Sequence, residues 1–168
     1  MRPIDVEAVL DRMAPALEAF LAAQGRDHPL LIGVRTGGVW VADGLHRRLK
    51  LTEPAGELNI SFYRDDFSRI GPHPTVSPSS GMLEVDGRHL VLVDDIIHTG
   101  RTVRAAMNEI FDFGRPASIT LVALVDRGGR ELPVAPDILG EAISLQAAEH
   151  VKLAGPDDLR LELHKAAP

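Results

Sequence analysis

The sequence contains no cysteine, which excludes a disulfide framework and any thiolate metal site. Lysine is nearly absent: three lysines stand against fifteen arginines. Arginine is the cation suited to bidentate phosphate contacts. No apolar run approaches the roughly 20 residues needed to span a bilayer, so no membrane partner is expected. The opening Met-Arg-Pro-Ile-Asp-Val-Glu lacks the apolar core of a signal peptide, and a cytoplasmic location is expected. There is no Gly-Lys pair, hence no P-loop, and no G-x-G-x-x-G dinucleotide fingerprint. The net charge of −6, with a pI near 5.6, argues against a broad nucleic-acid footprint.

What is present describes an ordinary globular chain. Its 168 residues, 45% hydrophobic and 25% charged, suit one domain with a real core. Residues 4–24 carry Val6, Val9, Leu10, Met13, Leu17, Phe20 and Leu21 at helical spacing. Pro15 inside this run predicts a kink or two short helices. Residues 29–34 read as a buried strand, 35–38 as a loop, and 39–49 as a helix with Val39, Val41, Ala42, Leu45 and Leu49 inward. Residues 56–63 alternate as a half-buried strand. Residues 64–81, with Pro72, Pro74 and Pro78, read as a long loop. His89 to Val93 is a second buried strand, followed by a turn at Thr99-Gly100 and a helix to about Phe113. Residues 117–125 form a third strand. Val151/Leu153 and Leu159/Leu161/Leu163 flank the turn Gly155-Pro-Asp-Asp158 as a hairpin. Strand–helix alternation predicts an α/β fold with a mainly parallel sheet. Loops 35–38, 94–102 and 126–129 would then gather at the carboxyl ends of the strands, where such sheets bind ligands.

The stretch Leu90-Val-Leu-Val-Asp-Asp-Ile-Ile-His-Thr-Gly-Arg-Thr102 carries the chemistry. A buried strand delivers two adjacent carboxylates to its end. A turn with Thr99, Gly100 and Thr102 then opens a helix, whose free N–H groups and positive dipole end make an anion site. Carboxylates beside a phosphate cradle repel phosphate unless they serve another part of the ligand. Sugar hydroxyls, which donate hydrogen bonds to carboxylates, are the natural partner. The segment therefore describes a ribose phosphate, with acids on the diol and backbone amides on the 5′-phosphate. The bland alternative is a capped helix beside a solvated turn.

Residues 90–102 resemble the PRPP-binding signature of type I phosphoribosyltransferases, and within that superfamily the PyrR family. The supporting pieces are Gly33-Val-Arg-Thr-Gly-Gly-Val39, Gly56-Glu-Leu-Asn-Ile-Ser-Phe-Tyr-Arg-Asp-Asp66 and Leu124-Val-Asp-Arg-Gly-Gly-Arg-Glu-Leu-Pro133. The resemblance covers roughly residues 4–165. It implies a type I phosphoribosyltransferase fold: a single domain over 1–168 with a mainly parallel central sheet flanked by helices, a flexible lid loop and a small hood. The hood comprises about residues 127–168 together with the N-terminal helix.

The resemblance also implies roles. Asp94 and Asp95 hold the ribose hydroxyls, and Ile96, Ile97, His98, Thr99, Gly100, Arg101 and Thr102 wrap the 5′-phosphate. Arg35, Thr36, Gly37 and Gly38 form the pyrophosphate loop, which in relatives carries a non-proline cis peptide. Tyr63 to about Gly81 is the lid, with Arg64 a catalytic cation near the pyrophosphate. Asp126, Arg127 and Val151 are candidates for base contact, Val151 being equally readable as hairpin core. No direct metal ligand is implied; Mg²⁺ arrives bound to PRPP. The implied substrates are PRPP and uracil and the product is UMP. Three departures stand out: Gly37 where relatives carry Arg, Gly129 where they carry His, and His98 where Tyr or Phe is usual. His98 is either a phosphate neighbour or a solvent-facing turn residue, and His89 is expected at the surface. The alternative to catalysis is a UMP-responsive attenuator that binds pyrimidine-operon leader RNA. RNA affinity needs a basic face, which Arg47, Arg48, Arg69, Arg101, Arg104 and Arg115 could supply by clustering. A purine phosphoribosyltransferase is a further alternative. A homo-oligomer, dimer or higher, is implied by analogy alone.

Overall fold

In a computed structural model, residues 4–60 and 83–165 are described. Helix α1 (Val6–Ala23) starts where Asp5 accepts a hydrogen bond from Ala8 N–H at 3.1 Å. Its buried stripe is Val6, Val9, Leu10, Met13, Ala14, Leu17 and Leu21. The helix is one continuous element rather than the alternative of two short ones. Pro15 lies on its exposed side, where the Asp11 carbonyl that loses its N–H partner can be hydrated.

Among the described residues five strands form one parallel sheet: β1 (Leu30–Val34), β2 (Gly56–Leu58), β3 (His89–Ile97), β4 (Ser118–Asp126) and β5 (Ile138–Ala142). Their order is β2-β1-β3-β4-β5. The central strands are near-continuous Val, Ile and Leu because both their faces are covered. Alternate side chains point to opposite faces. Leu31, Val91, Val93, Val122 and Leu124 pack with α1 and α2 (Gly37–Leu49), while Ile32, Val34, Leu90, Leu92 and Ala123 pack with α3 (Arg101–Phe113). A separate antiparallel hairpin pairs β6 (Glu149–Ala154) with β7 (Arg160–Lys165) around a cis Gly155–Pro156 bond.

The α/β fold with a parallel sheet is thus observed, and so is the hairpin. Helix α2 begins two residues earlier than expected, with Val39 and Leu49 only half-buried. Strand β3 does not stop at Val93. Its ladder continues through Asp94↔Ala123, Ile96↔Val125 and Ile97↔Asp126, since nothing before Thr99-Gly100 breaks it. The end of the strand read over 56–63 and the whole loop 64–81 fall wholly or largely outside the described residues. His89 is half-buried beside Ser118 Oγ, 2.8 Å away, not on the open surface.

Candidate active site

In an open parallel sheet the ligand crevice lies where successive connections run to opposite sides. Here that point falls between β1 and β3: β1 is followed by α2 and then β2 on one side, β3 by α3 and then β4 on the other. The loops after β1 and β3 therefore meet across a gap at the carboxyl end of the sheet.

Backbone contact is unusually close there. The Arg35–Thr36 peptide is cis, as the resemblance implied, and Arg35 N–H donates to Leu58 O at 2.8 Å. A Cβ on Gly37 would stand 2.1 Å from Asp95 Oδ2 and 2.9 Å from Asp95 Cβ. A Cβ on Gly38 would stand 2.5 Å from Val93 O. Glycine at 37 and 38 is what lets the first turn of α2 lie against the carboxylate pair. The space that an arginine at position 37 would need is occupied in this chain by Asp95. The Arg35 side chain forms an ion pair with Glu57 at 3.0 Å.

Asp94 is 2% exposed, and its Oδ1 accepts from Asp95 N–H at 3.0 Å. Asp95 is half-buried at the crevice. After Ile97 the chain turns. Thr99 is buried, and its Oγ1 accepts from Arg101 N–H at 3.2 Å. Gly100 has a φ of 92°, which only glycine adopts freely, and caps α3. A Cβ on Gly100 would also meet Val134 Cγ2 at 2.5 Å. This turn feeds the positive end of α3, the geometry of an anion site.

The segment after β4 closes against the same turn. Glu131 and Leu132 N–H both donate to Thr99 O, at 2.9 and 3.0 Å. The Arg101 guanidinium pairs with Glu131 at 2.7 Å, so its charge is shared with that loop. Arg130 donates to His98 O at 2.5 Å, Val134 O at 2.8 Å and Asp126 Oδ2 at 2.5 Å. Burial acts to raise the Asp126 pKa. The hydrogen bonds from Arg130 and Gly128 N–H, with the charges of Arg130 and His98, overcome it and hold the carboxyl below its ordinary value. Gly128 and Gly129 have φ of 70° and 74°. His98 Nδ1 lies 2.7 Å from Gly128 O; a carbonyl only accepts, so Nδ1 carries the proton. A Cβ on Gly129 would collide with the His98 ring, 2.5 Å from Cε1.

The structure brings Arg35 to Gly38, Asp94 to Thr102, and Asp126 and Arg127 together at one end of the sheet. His98 is engaged with Gly128, not simply solvent-facing. Arg127 N–H donates to Ile97 O at 3.1 Å, and its buried Nε has no hydrogen-bond acceptor among the described residues. Val151 is 8% exposed on β6, opposite Leu163. Arg64 and the lid lie outside the described residues. Arg130, which also joins this end of the sheet, carries a faint signal in the sequence: the four-residue spacing from Asp126 across two glycines. Of the six arginines considered for RNA, Arg69 lies outside the described residues. Arg47 and Arg48 sit on α2, and Arg101 and Arg104 on α3, on opposite faces of the sheet. Arg48 is moreover engaged with Glu7 and Asp11. The six do not make one basic face.

A phosphoribosyl transferase domain model matches residues 6–156. The Bifunctional protein PyrR of Pseudomonas paraeruginosa is 54% identical over 160 residues, covering 95% of this chain and 94% of that protein. The Bifunctional protein PyrR of Nitrosococcus oceani is 50% identical over 167 residues, covering 98% and 94%. Among solved structures, the hypoxanthine phosphoribosyltransferase of Trypanosoma cruzi aligns with a TM-score of 0.67 at 21% identity, covering 96% of this chain and 93% of that one.

Proposed function

This chain belongs to the phosphoribosyltransferase family, and within it to the PyrR proteins, and from that premise we propose that it joins uracil to PRPP, giving UMP and pyrophosphate. The observation that carries this reading is the packing of Gly37 and Gly38 directly against Asp94 and Asp95, beside the Gly100 turn of α3. Three adjoining parts of one crevice match three parts of PRPP: backbone for pyrophosphate, carboxylates for the ribose diol, and a helix amino end for the 5′-phosphate.

The reaction is a displacement at the anomeric carbon through an oxocarbenium-like state. It needs no covalent nucleophile. Asp94 and Asp95 orient the ribose, the Thr99–Thr102 turn anchors its phosphate, and the two anchors set the anomeric carbon in line between base and leaving group. The pyrophosphate departs against backbone N–H groups of the 35–38 loop. Among the described residues no group of three or more His, Cys, Asp or Glu side chains is placed to hold a cation. Mg²⁺ would arrive with PRPP and would supply positive charge to offset that of the leaving group, while Asp94 and Asp95 hold the ribose. Arg64 and the loop 63–81 would supply further cover and charge, Arg127 and Val151 the base side.

Mixing the protein with Mg²⁺ and PRPP, then with uracil or hypoxanthine, tests the reading. UMP from uracil is the expected product. No UMP would refute it, and IMP instead would move the assignment to purines. The word "bifunctional" in the relatives' names supports a second role, which we propose is UMP-responsive binding of pyrimidine-operon leader RNA, the protein acting as a cytoplasmic homo-oligomer. Leader RNA bound no tighter than an unrelated RNA, with and without UMP, would remove that role.

A further inference from the structure

We propose that Arg130 is the positioning residue of the 5′-phosphate turn, making that turn and the loop after β4 one mechanical unit. The inference rests on the phosphate-binding role given above to residues 96–102. Arg130 touches neither strand's chemistry itself. Its guanidinium reaches three pieces of chain: His98 O at the end of β3, the Asp126 carboxylate at the end of β4, and Val134 O beyond the loop. These directional bonds use Nε, Nη1 and Nη2, a fork only arginine provides.

The surrounding contacts run between the same two segments. Thr99 O accepts two N–H groups, from Glu131 and Leu132. Gly100 lies against Val134, and Gly129 lies against the His98 ring. Gly128 O holds His98 Nδ1–H. The turn itself has no side-chain cap on α3. Within the turn Thr99 Oγ1 accepts from Arg101 N–H; the remaining contacts come from the 126–134 segment, and Arg130 is the side chain at the centre of that support. The Arg130 and Asp126 side chains are 23% and 19% exposed, so the pair is shielded from much of the solvent. Losing the fork frees His98 O and Val134 O, and the turn loses the alignment of its N–H groups without losing the groups themselves.

The consequence is selective. A ligand's 5′-phosphate should suffer, and its base and sugar much less. The measurement is the ratio of uridine to UMP dissociation constants, obtained by calorimetry for the wild-type protein, Arg130→Ala, Arg130→Lys and Asp126→Asn. Misplacement of about 1 Å can cost about a hundredfold, so the ratio is expected to fall roughly ten- to a hundredfold in Arg130→Ala. Asp126→Asn keeps the guanidinium and should fall less. Arg130→Lys cannot make three directed bonds and should not restore the ratio, whereas added guanidinium ion should partly restore Arg130→Ala. A ratio unchanged in a folded Arg130→Ala or, should that variant not fold, in Asp126→Asn would overturn the proposal. Wild-type protein that binds UMP no better than uridine would instead refute the phosphate reading on which it rests.

Discussion

At the amino ends of β1, β3 and β4 polar side chains pair with one another; at the carboxyl ends of the same strands glycines let segments of chain approach closely. On the amino side Arg88 makes a bidentate pair with Glu53, Arg26 donates to Thr120 Oγ1 at 2.6 Å, and His89 meets Ser118. The Glu53 carboxyl is held below its ordinary value first by the Arg88 hydrogen bonds, against a smaller burial effect. On the carboxyl side Gly37, Gly38, Gly100 and Gly129 replace side chains with close approach. One end is built to be satisfied within the protein, the other to be completed by a ligand. Substitutions at the first should therefore register as stability, and those at Gly37, Asp94 and Asp95 of the second as activity.

The sharpest way to break that contrast is at the carboxylates. Asp94→Asn with Asp95→Asn should lower UMP formation by about 10²–10³ or more, the scale of losing electrostatic contacts to reacting groups, while thermal melting still reports a folded protein. Retained turnover would show that the ribose assignment is wrong.

Gly37→Ala comes next. The new methyl would stand 2.1 Å from Asp95 Oδ2 and must push that carboxylate aside. Activity should fall roughly ten- to a hundredfold, as expected for a displacement near 1 Å. Wild-type kcat/KM would mean that the contact between the two loops is incidental.

Asp126 sharpens the comparison through pH. Its folded pKa is depressed, so its stabilisation is complete above the unfolded value of about 3.9. It is lost as pH falls through the lower folded value. Charge-assisted hydrogen bonds of this kind contribute about 2 kcal/mol. The gap in Tm between wild type and Asp126→Asn should hold from neutral pH down to about 4 and shrink below. A gap that closes already near pH 6 would place the effect on another group.

The smallest effect belongs to the amino end. Gly87 has a φ of 66° with nothing among the described residues within 4 Å of a Cβ, so Gly87→Ala meets backbone preference and no clash with them. It should cost about 1 kcal/mol of stability and leave kcat and KM alone. A change in kcat would show that the two ends are not independent.

Much of this was legible because the strands wear their burial openly. Residues 30–34, 90–93 and 121–125 are apolar without alternation, as parallel central strands must be, and the Asp-Asp and Thr-Gly pairs mark where strand gives way to helix. Strand β5 was not legible. Gly140 interrupts its apolar pattern, and its place depends on Val9 and Met13 of α1, which fill the space a Cβ at 140 would take. Such a match lies between residues more than a hundred positions apart. The site showed the same division. Asp94, Asp95 and Gly100 could be read from local order. The engagement of His98 by Gly128, and the reach of Arg130 to three carbonyl and carboxylate oxygens, exist only once β3 and β4 lie side by side.

Trp40 gives the protein a built-in reporter. It is the single tryptophan of the chain, set three residues beyond Gly37. Its indole lies against the β6–β7 turn, where a Cβ on Gly155 would come within 2.8 Å of Cε3. Tryptophan emission therefore comes from one place, the seam between the hairpin and the helix that starts at the 35–38 loop. A spectral change on adding pyrophosphate would register at that seam without any label.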